Sequence, residues 1–393
     1  MAKTVAITGN VACAQAMRQI DPDVVAAYPI TPQTTIVEEF STFVAKGQVH
    51  TEYVTVESEH SAMSACIGAS AAGSRVMTTT SSQGLALMWE MLYIAAGLRL
   101  PIVMHNVNRT LSAPINIHCD HSDSMGARDA GWIHIFSEDA QEAYDNTIQA
   151  IRIAEHPDVH TPVMVMLDGF IVSHAIARLD LLEDDEVKKF VGEYKPGYHL
   201  LDPHHEVTMG AFDGLHGSYF EFKRAQVEGI RNSKQVIIDV GKEFGAMSGR
   251  SYGLFDEFMM DDAEVAVLVM GSTAGTTRAV VKELRADGVR AGMIKLRSFR
   301  PFPSAELAAA LSDVKAVAVM DRAESVGADA GPVWLEVRNA MFDLDRRPPI
   351  INYIYGLGGR DVGLELIHRV YTDLSDLASG KPVEVVNYLG LRQ

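Results

Sequence analysis

Cysteine is scarce in this sequence. It has three cysteines, Cys13, Cys66 and Cys119, which lie roughly fifty residues apart, and none belongs to a Cys-x-x-Cys pair. Three isolated thiols cannot supply the four cysteines that an iron–sulfur cluster or a structural zinc site requires. We therefore expect the three cysteines to be small buried side chains of a protein in a reducing compartment, and we expect no iron–sulfur cluster within this chain.

An excess of basic residues and a long apolar run are also missing. Asp and Glu outnumber Lys and Arg by 51 to 34, so the formal net charge is −17. Such a chain offers no basic face to nucleic acid or to an anionic membrane. No apolar run reaches the ~20 residues that span a bilayer, and the first ten residues, MAKTVAITGN, contain no signal-peptide core. We expect no nucleic-acid partner, no membrane and a cytoplasmic location.

What the sequence does contain is a repeated strand–turn–helix pattern. A length of 393 residues favours two domains. Apolar runs with strand character occur at 24–28, 52–57, 75–80, 101–107 and 163–167, separated by helical stretches, and this alternation predicts an α/β fold with a parallel sheet. The pattern weakens over 176–258, where we expect an extended connection with a long helix at 221–247. A second α/β unit begins near Asp261, which divides the chain into 1–258 and 259–393.

The segment 28–34, YPITPQT, ends the first buried run and precedes an amphipathic helix. Thr31 is a suitable N-cap, and Pro32 suits the first helical position. A helix start of this kind favours an anion. Taken alone, the segment is better explained as a well-capped helix start.

Other polar residues fall at the ends of predicted parallel strands, where ligands collect in such sheets. They are Glu59, the turn 81–84 and the pair Asn108-Arg109. Arg109 can offer a planar fork to a carboxylate or form a surface ion pair. Glu59 can act as an acid–base group or merely favour the dipole of the following helix.

The segment 118–123, HCDHSD, packs two histidines and two aspartates into six residues. A metal site would need a further distant ligand. A hydrogen-bonded loop is the better interpretation, and we predict no metal ligands in this chain. The start of the second unit, Gly271–Thr276, lacks the complete GxGxxG pattern of a dinucleotide site, although it could hold a phosphate.

Several segments together resemble the α subunit of the 2-oxoacid:ferredoxin oxidoreductases, and most closely the multi-subunit pyruvate type. The resemblance covers nearly the whole chain in order. The segments that carry it are YPITPQT at 28–34, SEH at 58–60, TTTSSQG at 78–84, NRTLSAP at 108–114, DHSD at 120–123, LDGF at 167–170, GRSYGLF at 249–255, IKLRSFRPFP at 294–303, MDR at 320–322 and GLGGRD at 356–361.

This resemblance implies a thiamine diphosphate-binding pyrimidine module followed by a transketolase C-terminal-like α/β domain. It implies oxidative decarboxylation of a 2-oxoacid with coenzyme A as co-substrate and ferredoxin as acceptor. A β subunit would carry the cofactor's diphosphate and Mg²⁺. The [4Fe-4S] clusters would lie on β and a ferredoxin-like δ subunit, and a γ subunit would complete the complex.

The resemblance also assigns roles to residues. Glu59 matches the glutamate that bonds the aminopyrimidine ring of the cofactor, and Thr31 and Arg109 match the pair that holds the substrate carboxylate. Further expected cofactor contacts are Pro29, Ile30, Gln83 and Asn108.

Three alternatives stay open at this point. The first is a different 2-oxoacid substrate, because family members that act on pyruvate commonly carry Trp or Phe where this chain has His118-Cys119. An example is the aryl acid phenylglyoxylate, with NAD as the final electron acceptor of the complex. A non-redox transketolase-class subunit is the second, although the chain lacks a Gly-Asp-Gly metal signature. The third is a non-catalytic subunit that only scaffolds a complex.

Overall fold

The computed structural model describes residues 3–392. Met1, Ala2 and Gln393, which the predicted domain ranges include, lie outside the described residues. The strands are β1 (Lys3–Thr8), β2 (Val24–Ala27), β3 (Glu52–Thr55), β4 (Val76–Thr80), β5 (Val103–Asn108), β6 (Ile133–Phe136), β7 (Val163–Asp168), β8 (Ile176–Leu181), β9 (Phe255–Phe258), β10 (Val265–Met270), β11 (Ala291–Leu296), β12 (Ser298–Arg300), β13 (Ala316–Asp321), β14 (Ile350–Tyr355) and β15 (Val386–Leu389).

The helices connect these strands in the alternating order that the sequence predicts. They are α1 (Gly9–Ile20), α2 (Thr34–Ala45), α3 (Glu59–Ala71), α4 (Ser82–Leu87), α5 (Trp89–Gly97), α6 (Ser122–Gly126), α7 (Ala140–Ala154), α8 (Asp184–Val191), α9 (Tyr219–Ser248), α10 (Thr273–Ala286), α11 (Ser304–Leu311), α12 (Pro332–Met341) and α13 (Leu364–Ala378), with a 3₁₀ turn at Leu357–Gly359.

The first sheet has seven strands in the order β12-β6-β7-β5-β4-β2-β3. All neighbouring pairs are parallel except β12 with β6. Strands β4, β5 and β7 are buried along their whole length, as expected for a parallel sheet covered on both faces. The predicted α/β class is therefore confirmed, and each strand predicted in this region occurs with its ends shifted by at most two residues.

The second sheet has six strands in the order β15-β14-β13-β10-β11-β9, parallel except for β9. One short strand links the two sheets. Strand β12 directly follows β11 of the second sheet along the chain, but it pairs with β6 of the first sheet. Side chains from both halves, such as Met104, Met166 and Leu268, belong to one continuous apolar core.

The connection between the halves is largely structured. Strand β8 pairs antiparallel with β1 in a separate two-stranded sheet. Helix α9 has 30 residues and begins and ends within two residues of the predicted long helix. Its C-terminal half is buried through residues such as Ile237 and Phe244, whereas its N-terminal half exposes Tyr219 and Phe220.

A buried carboxyl at the end of β13 links strand and helix in the second unit. Asp321 accepts hydrogen bonds from Val333 N at 2.8 Å, Trp334 N at 3.1 Å and Asn352 Nδ2 at 2.8 Å. Burial raises the pKa of Asp321 to about 6, although these hydrogen bonds act against the rise. The folded protein therefore takes up this proton at a higher pH than the unfolded chain does.

We expect the contribution of Asp321 to stability to be complete below pH ~4 and to disappear as the pH rises through about 6. Asp321→Asn should remove that part of the pH dependence, which amounts to about 3 kcal/mol. Denaturant unfolding of wild type and variant between pH 4 and 7 measures the difference. Asp343→Asn, at an exposed position beyond α12, is the control, and parallel wild-type and Asp321→Asn profiles would contradict the assignment.

Candidate active site

The segment 28–34 forms a tight turn and not a capped helix start. Gln33 N donates to the Ile30 carbonyl at 2.9 Å, and α2 begins only at Thr34, with Gln33 in the N-cap position. The prediction that Thr31 caps the helix and Pro32 opens it is therefore wrong. The physical reason is that the Gln33 side chain, which donates to the Tyr28 carbonyl at 2.8 Å, ties the turn back on itself before the helix starts. Thr31 lies exposed in this turn.

Arg109 and Thr31 do come together. Arg109 directly follows β5 and is 7% exposed, and its Nη1 donates to the Thr31 carbonyl at 2.9 Å. Its Nε donates to the Asn116 carbonyl at 3.3 Å. Burial lowers the pKa of the Arg109 guanidinium, while the charge of Asp123 acts in the opposite direction. No carboxylate among residues 3–392 forms an ion pair with Arg109, which rules out the surface ion pair within this chain.

Glu59 opens α3 behind the N-cap Ser58, whose hydroxyl accepts a hydrogen bond from Ser61 N at 3.2 Å. The Glu59 side chain is buried, and it faces Gly84 on α4. A Cβ atom at Gly84 would lie 2.8 Å from Glu59 Oε1 and 2.5 Å from Thr80 Oγ1. Any larger side chain at residue 84 would clash with both oxygens, so the close packing of Glu59 and Thr80 against α4 requires glycine there.

The other predicted contacts have distinct surroundings. Asn108 is buried, and its Nδ2 donates to Asp123 Oδ1 at 2.8 Å and Ser124 Oγ at 3.0 Å, whereas its Oδ1 has no partner in the described chain. Gln83 Oε1 accepts from Ser82 Oγ at 2.6 Å. Pro29 is exposed and Ile30 is half-buried in the turn that holds Thr31. Because its amide nitrogen already donates to two side chains of this edge, Asn108 serves partly as a structural residue.

Asp123 organises this edge of the sheet, a role that the sequence did not indicate. Its carboxylate accepts from Ser82 N at 3.0 Å, Asn106 Nδ2 at 3.1 Å and Arg109 N at 3.1 Å, besides Asn108 and Ser124. Burial raises the pKa of Asp123, and these hydrogen bonds oppose the rise. Because donors occupy both oxygens, the loop interpretation of 118–123 fits this aspartate better than a metal site does.

A second network joins this edge to the other half of the chain. Asp168, at the end of β7, binds His121 Nε2 at 2.8 Å, Ser272 Oγ at 2.5 Å and Arg322 Nη1 at 3.0 Å. Burial alone would raise the pKa of Asp168, but the charges of His121 and Arg322 hold it well below its ordinary value. Cys119 lies beside His121 and Asp168, and these three side chains form a cluster of metal-ligating type. The Arg322 cation already neutralises the carboxylate there.

The GLGG segment of the second half, at 356–359, contacts the loop that supports Arg109. Asn116 Nδ2 donates to the Gly358 carbonyl at 3.1 Å, and Gly359 N donates to the Cys119 carbonyl at 2.7 Å. The Asn116 carbonyl in turn accepts from Arg109, as described above. The GLGG segment therefore contacts the candidate site through one intermediate residue.

Two family models match most of the chain. Residues 15–242 match the thiamine diphosphate-binding domain of pyruvate flavodoxin/ferredoxin oxidoreductases. Residues 263–367 match core domain II of pyruvate:ferredoxin oxidoreductase. The chain belongs to this oxidoreductase family.

Curated relatives agree with that assignment, and two solved structures share the fold. The chain is 54% identical to pyruvate synthase subunit PorA of Thermotoga maritima over 99% of this chain and 98% of that protein. It is 42% identical to ketoisovalerate oxidoreductase subunit VorA of Pyrococcus abyssi, with 98% of both chains covered. The 2-oxoglutarate:ferredoxin oxidoreductase of Magnetococcus marinus shares the fold, with a TM-score of 0.74 at 20% identity over 94% of this chain and 65% of that one. A split-gene transketolase shares it with a TM-score of 0.56 at 12% identity, over 96% of this chain and all of that one.

The residues at this edge fit one half of a thiamine site. Glu59 is 7% exposed and its side chain receives no hydrogen bond from any residue within 3–392, and the missing side chain at Gly84 lets its carboxylate pack against α4. An acceptor of low exposure without a donor suits a ligand that carries its own N–H groups. A separate observation concerns the helices: none in the described part of the chain is both long and apolar enough to cross a membrane.

Gly84→Ala should weaken binding of thiamine diphosphate by the assembled complex at least tenfold, because the new methyl group would clash with Glu59 Oε1 and Thr80 Oγ1 and displace the carboxylate. Titration of the cofactor into the cofactor-free complex measures the affinity. Gly68→Ala is the matched control, since that helical glycine has no neighbour within 4 Å of a Cβ position and alanine should be neutral or slightly stabilising. Equal affinities in both variants would contradict the placement of the cofactor.

Proposed function

We propose that this chain is the α-type subunit of a thiamine diphosphate-dependent pyruvate:ferredoxin oxidoreductase. The complex would convert pyruvate and coenzyme A to acetyl-CoA and CO2, with release of one proton and two electrons that pass to iron–sulfur clusters and then to ferredoxin. The observation that carries the proposal is the meeting of Thr31 and Arg109 at the strand ends of a thiamine-binding domain that also presents Glu59. The relatives named pyruvate synthase support the choice of substrate.

Thr31 and Arg109 would hold the substrate carboxylate. The Thr31 carbonyl fixes one guanidinium nitrogen and the Asn116 carbonyl fixes another, so the fork is oriented before substrate arrives. Its Nη2 has no acceptor among residues 3–392 and can serve the ligand. A fixed cation of low exposure binds a carboxylate more strongly than one that is free in water.

Glu59 would hold a proton against the aminopyrimidine ring. Thiamine diphosphate, when bound, supplies the carbon nucleophile and the electron sink of the reaction. The chain's part is to place a carboxyl group at the ring, to exclude water around it and to keep the substrate carboxylate in a fixed direction.

The remaining components would come from partner subunits. A β subunit would bind Mg²⁺ with the cofactor's diphosphate and carry [4Fe-4S] clusters, and γ and ferredoxin-like δ subunits would complete the assembly. All three cysteines of this chain are free, separate and buried, which agrees with clusters located elsewhere. We further propose that residues 1–258, including the connection from 176, form the cofactor module, that 259–393 buttress it, and that the complex acts in the cytoplasm.

A second candidate is the same reaction on another 2-oxoacid. The ketoisovalerate relative is as similar to this chain as one of the pyruvate relatives, at 42% identity in both cases. His118, where the sequence departs from the pyruvate pattern, is exposed and packs against Phe170 with ring centroids 5.3 Å apart. An aryl 2-oxoacid such as phenylglyoxylate therefore stays a hypothesis for the same site.

The substrate assignment predicts the highest kcat/KM for pyruvate among pyruvate, 2-oxobutyrate, 2-oxoisovalerate, 2-oxoglutarate and phenylglyoxylate. The purified complex is assayed with coenzyme A and ferredoxin, following acceptor reduction and CO2 release. A higher kcat/KM for 2-oxoisovalerate or phenylglyoxylate would replace pyruvate by that acid. Turnover without acceptor reduction would instead indicate a non-redox transketolase-class enzyme.

Glu59→Gln should lower kcat by about 100-fold or more, the usual contribution of a positioned acid–base group. Glu57→Gln, two residues earlier and exposed, is the control and should retain activity. The measurement is steady-state turnover of each complex, with gel filtration to show intact assembly. Wild-type turnover by Glu59→Gln would remove that residue from its role and favour a scaffolding subunit.

A further inference from the structure

A buried hydroxyl beside the candidate acid has no hydrogen-bond partner. Thr80 is the last residue of β4 and is fully buried, and its Oγ1 has no partner within the described residues. Leaving a hydroxyl group unpaired in the interior is unfavourable, so such groups are rare in folded proteins. Valine has the same shape and would avoid that penalty.

The hydroxyl lies next to a carboxylate that lacks a donor. Thr80 Oγ1 and Glu59 Oε1 lie 2.5 Å and 2.8 Å from the same point, the position of a Cβ atom at Gly84. The two oxygens are therefore within about 5.3 Å of each other, the sum of these two distances. A hydroxyl donates one hydrogen bond, and an ionised carboxylate accepts several. An unused donor thus lies beside an acceptor that has no donor within the described residues.

The neighbouring threonines show that this arrangement is specific to Thr80. The Thr78 hydroxyl donates to the Ala26 carbonyl at 2.6 Å and is satisfied. Thr79 is also buried with an unpaired hydroxyl, but side chains alternate along a strand, so it lies on the opposite face of β4 from Thr80. The chain therefore offers two adjacent buried threonines of equal chemistry, one beside Glu59 and one away from it.

We propose that Thr80 is a positioning residue that donates its hydroxyl hydrogen bond to the Glu59 carboxylate when the cofactor's pyrimidine ring is bound. The bond would fix the direction of the carboxylate toward the ring, and the absence of a side chain at Gly84 lets the two oxygens lie this close together. Thr80 itself touches neither substrate nor cofactor. This inference rests on the proposed role of Glu59 in thiamine binding.

The test compares three variants in the assembled complex. Thr80→Val should raise the dissociation constant for thiamine diphosphate about tenfold and lower kcat by a similar factor, the usual size of a hydrogen bond to a charged group. The KM for pyruvate should stay within about twofold, because Thr31 and Arg109 bind the carboxylate. Thr80→Ser, which keeps the hydroxyl, should restore both values, and Thr79→Val should leave both unchanged. Thermal melting of each complex checks folding.

The proposal is overturned if Thr80→Val binds the cofactor and turns over within twofold of wild type. It is also overturned if Thr80→Ser is as impaired as Thr80→Val, or if Thr79→Val shows the same loss, since either result indicates a packing effect. Glu59→Gln separates the two levels of the argument. An inactive Glu59→Gln with a normal Thr80→Val refutes only the role of Thr80, whereas a fully active Glu59→Gln refutes the proposed function itself.

Discussion

The structure depends on buried ion pairs in which one half of the chain supplies the cation and the other the carboxylate. Arg322, from the second sheet, reaches Asp168 at the end of a first-sheet strand, with both side chains almost fully buried. Lys295 on β11 forms a second buried pair, with Glu142 on α7, whereas Arg278 on α10 forms a partly exposed pair with Glu138. A buried charge that loses its partner is strongly destabilising, so each buried pair penalises separation of the halves. The polar contacts thus specify how two apolar surfaces meet.

Contacts between the two halves also hold the loop of the candidate site that carries Arg109 in place. The loop that follows β5 carries Arg109, and it is held from one side by Asp123 and from the other by the glycine-rich turn near residue 358. Gly169 completes the arrangement, because a side chain there would collide with the Asn108 carbonyl and approach Pro32 Cγ at 2.9 Å. The guanidinium and the Thr31 turn are consequently fixed by rigid elements. Such pre-organisation reduces the reorganisation that substrate binding would otherwise require.

Much of the fold follows from the sequence because buried parallel strands are continuous apolar runs. The strands at 163–167 and 265–270 could be recognised from Val, Met and Leu alone. The carboxyl ends of the predicted strands likewise indicated the edge at which Thr31 and Arg109 come together. The helix start at Thr31 was misjudged because local preference describes a cap equally well as a turn. The side-chain hydrogen bonds of Gln33, which decide between them, include one to the distant Thr79 carbonyl at 3.3 Å.

Other features could not be predicted from the sequence because they are contacts between remote segments. Asp123 stood in a motif that we interpreted as a hydrogen-bonded loop, and only the structure identifies the five donors around it. The pairing of Asp168 with Arg322 joins residues 154 positions apart. Strand β12 has three residues, too few for any periodicity, and its partner is β6, more than 160 residues earlier. Local patterns carry no information about such pairings.

The crossing of β12 has a consequence for the order in which the chain matures. On the ribosome, residues 298–300 emerge long after the six other strands of the first sheet. Until then β6 is an open edge, with unpaired backbone groups beside the apolar side chains of Ile135 and Phe136. The N-terminal half therefore cannot complete its own sheet until β12 has been synthesised. Nascent chains are at risk of misassociation in the interval between β6 and β12, and a chain that stops within that interval would leave the β6 edge uncovered.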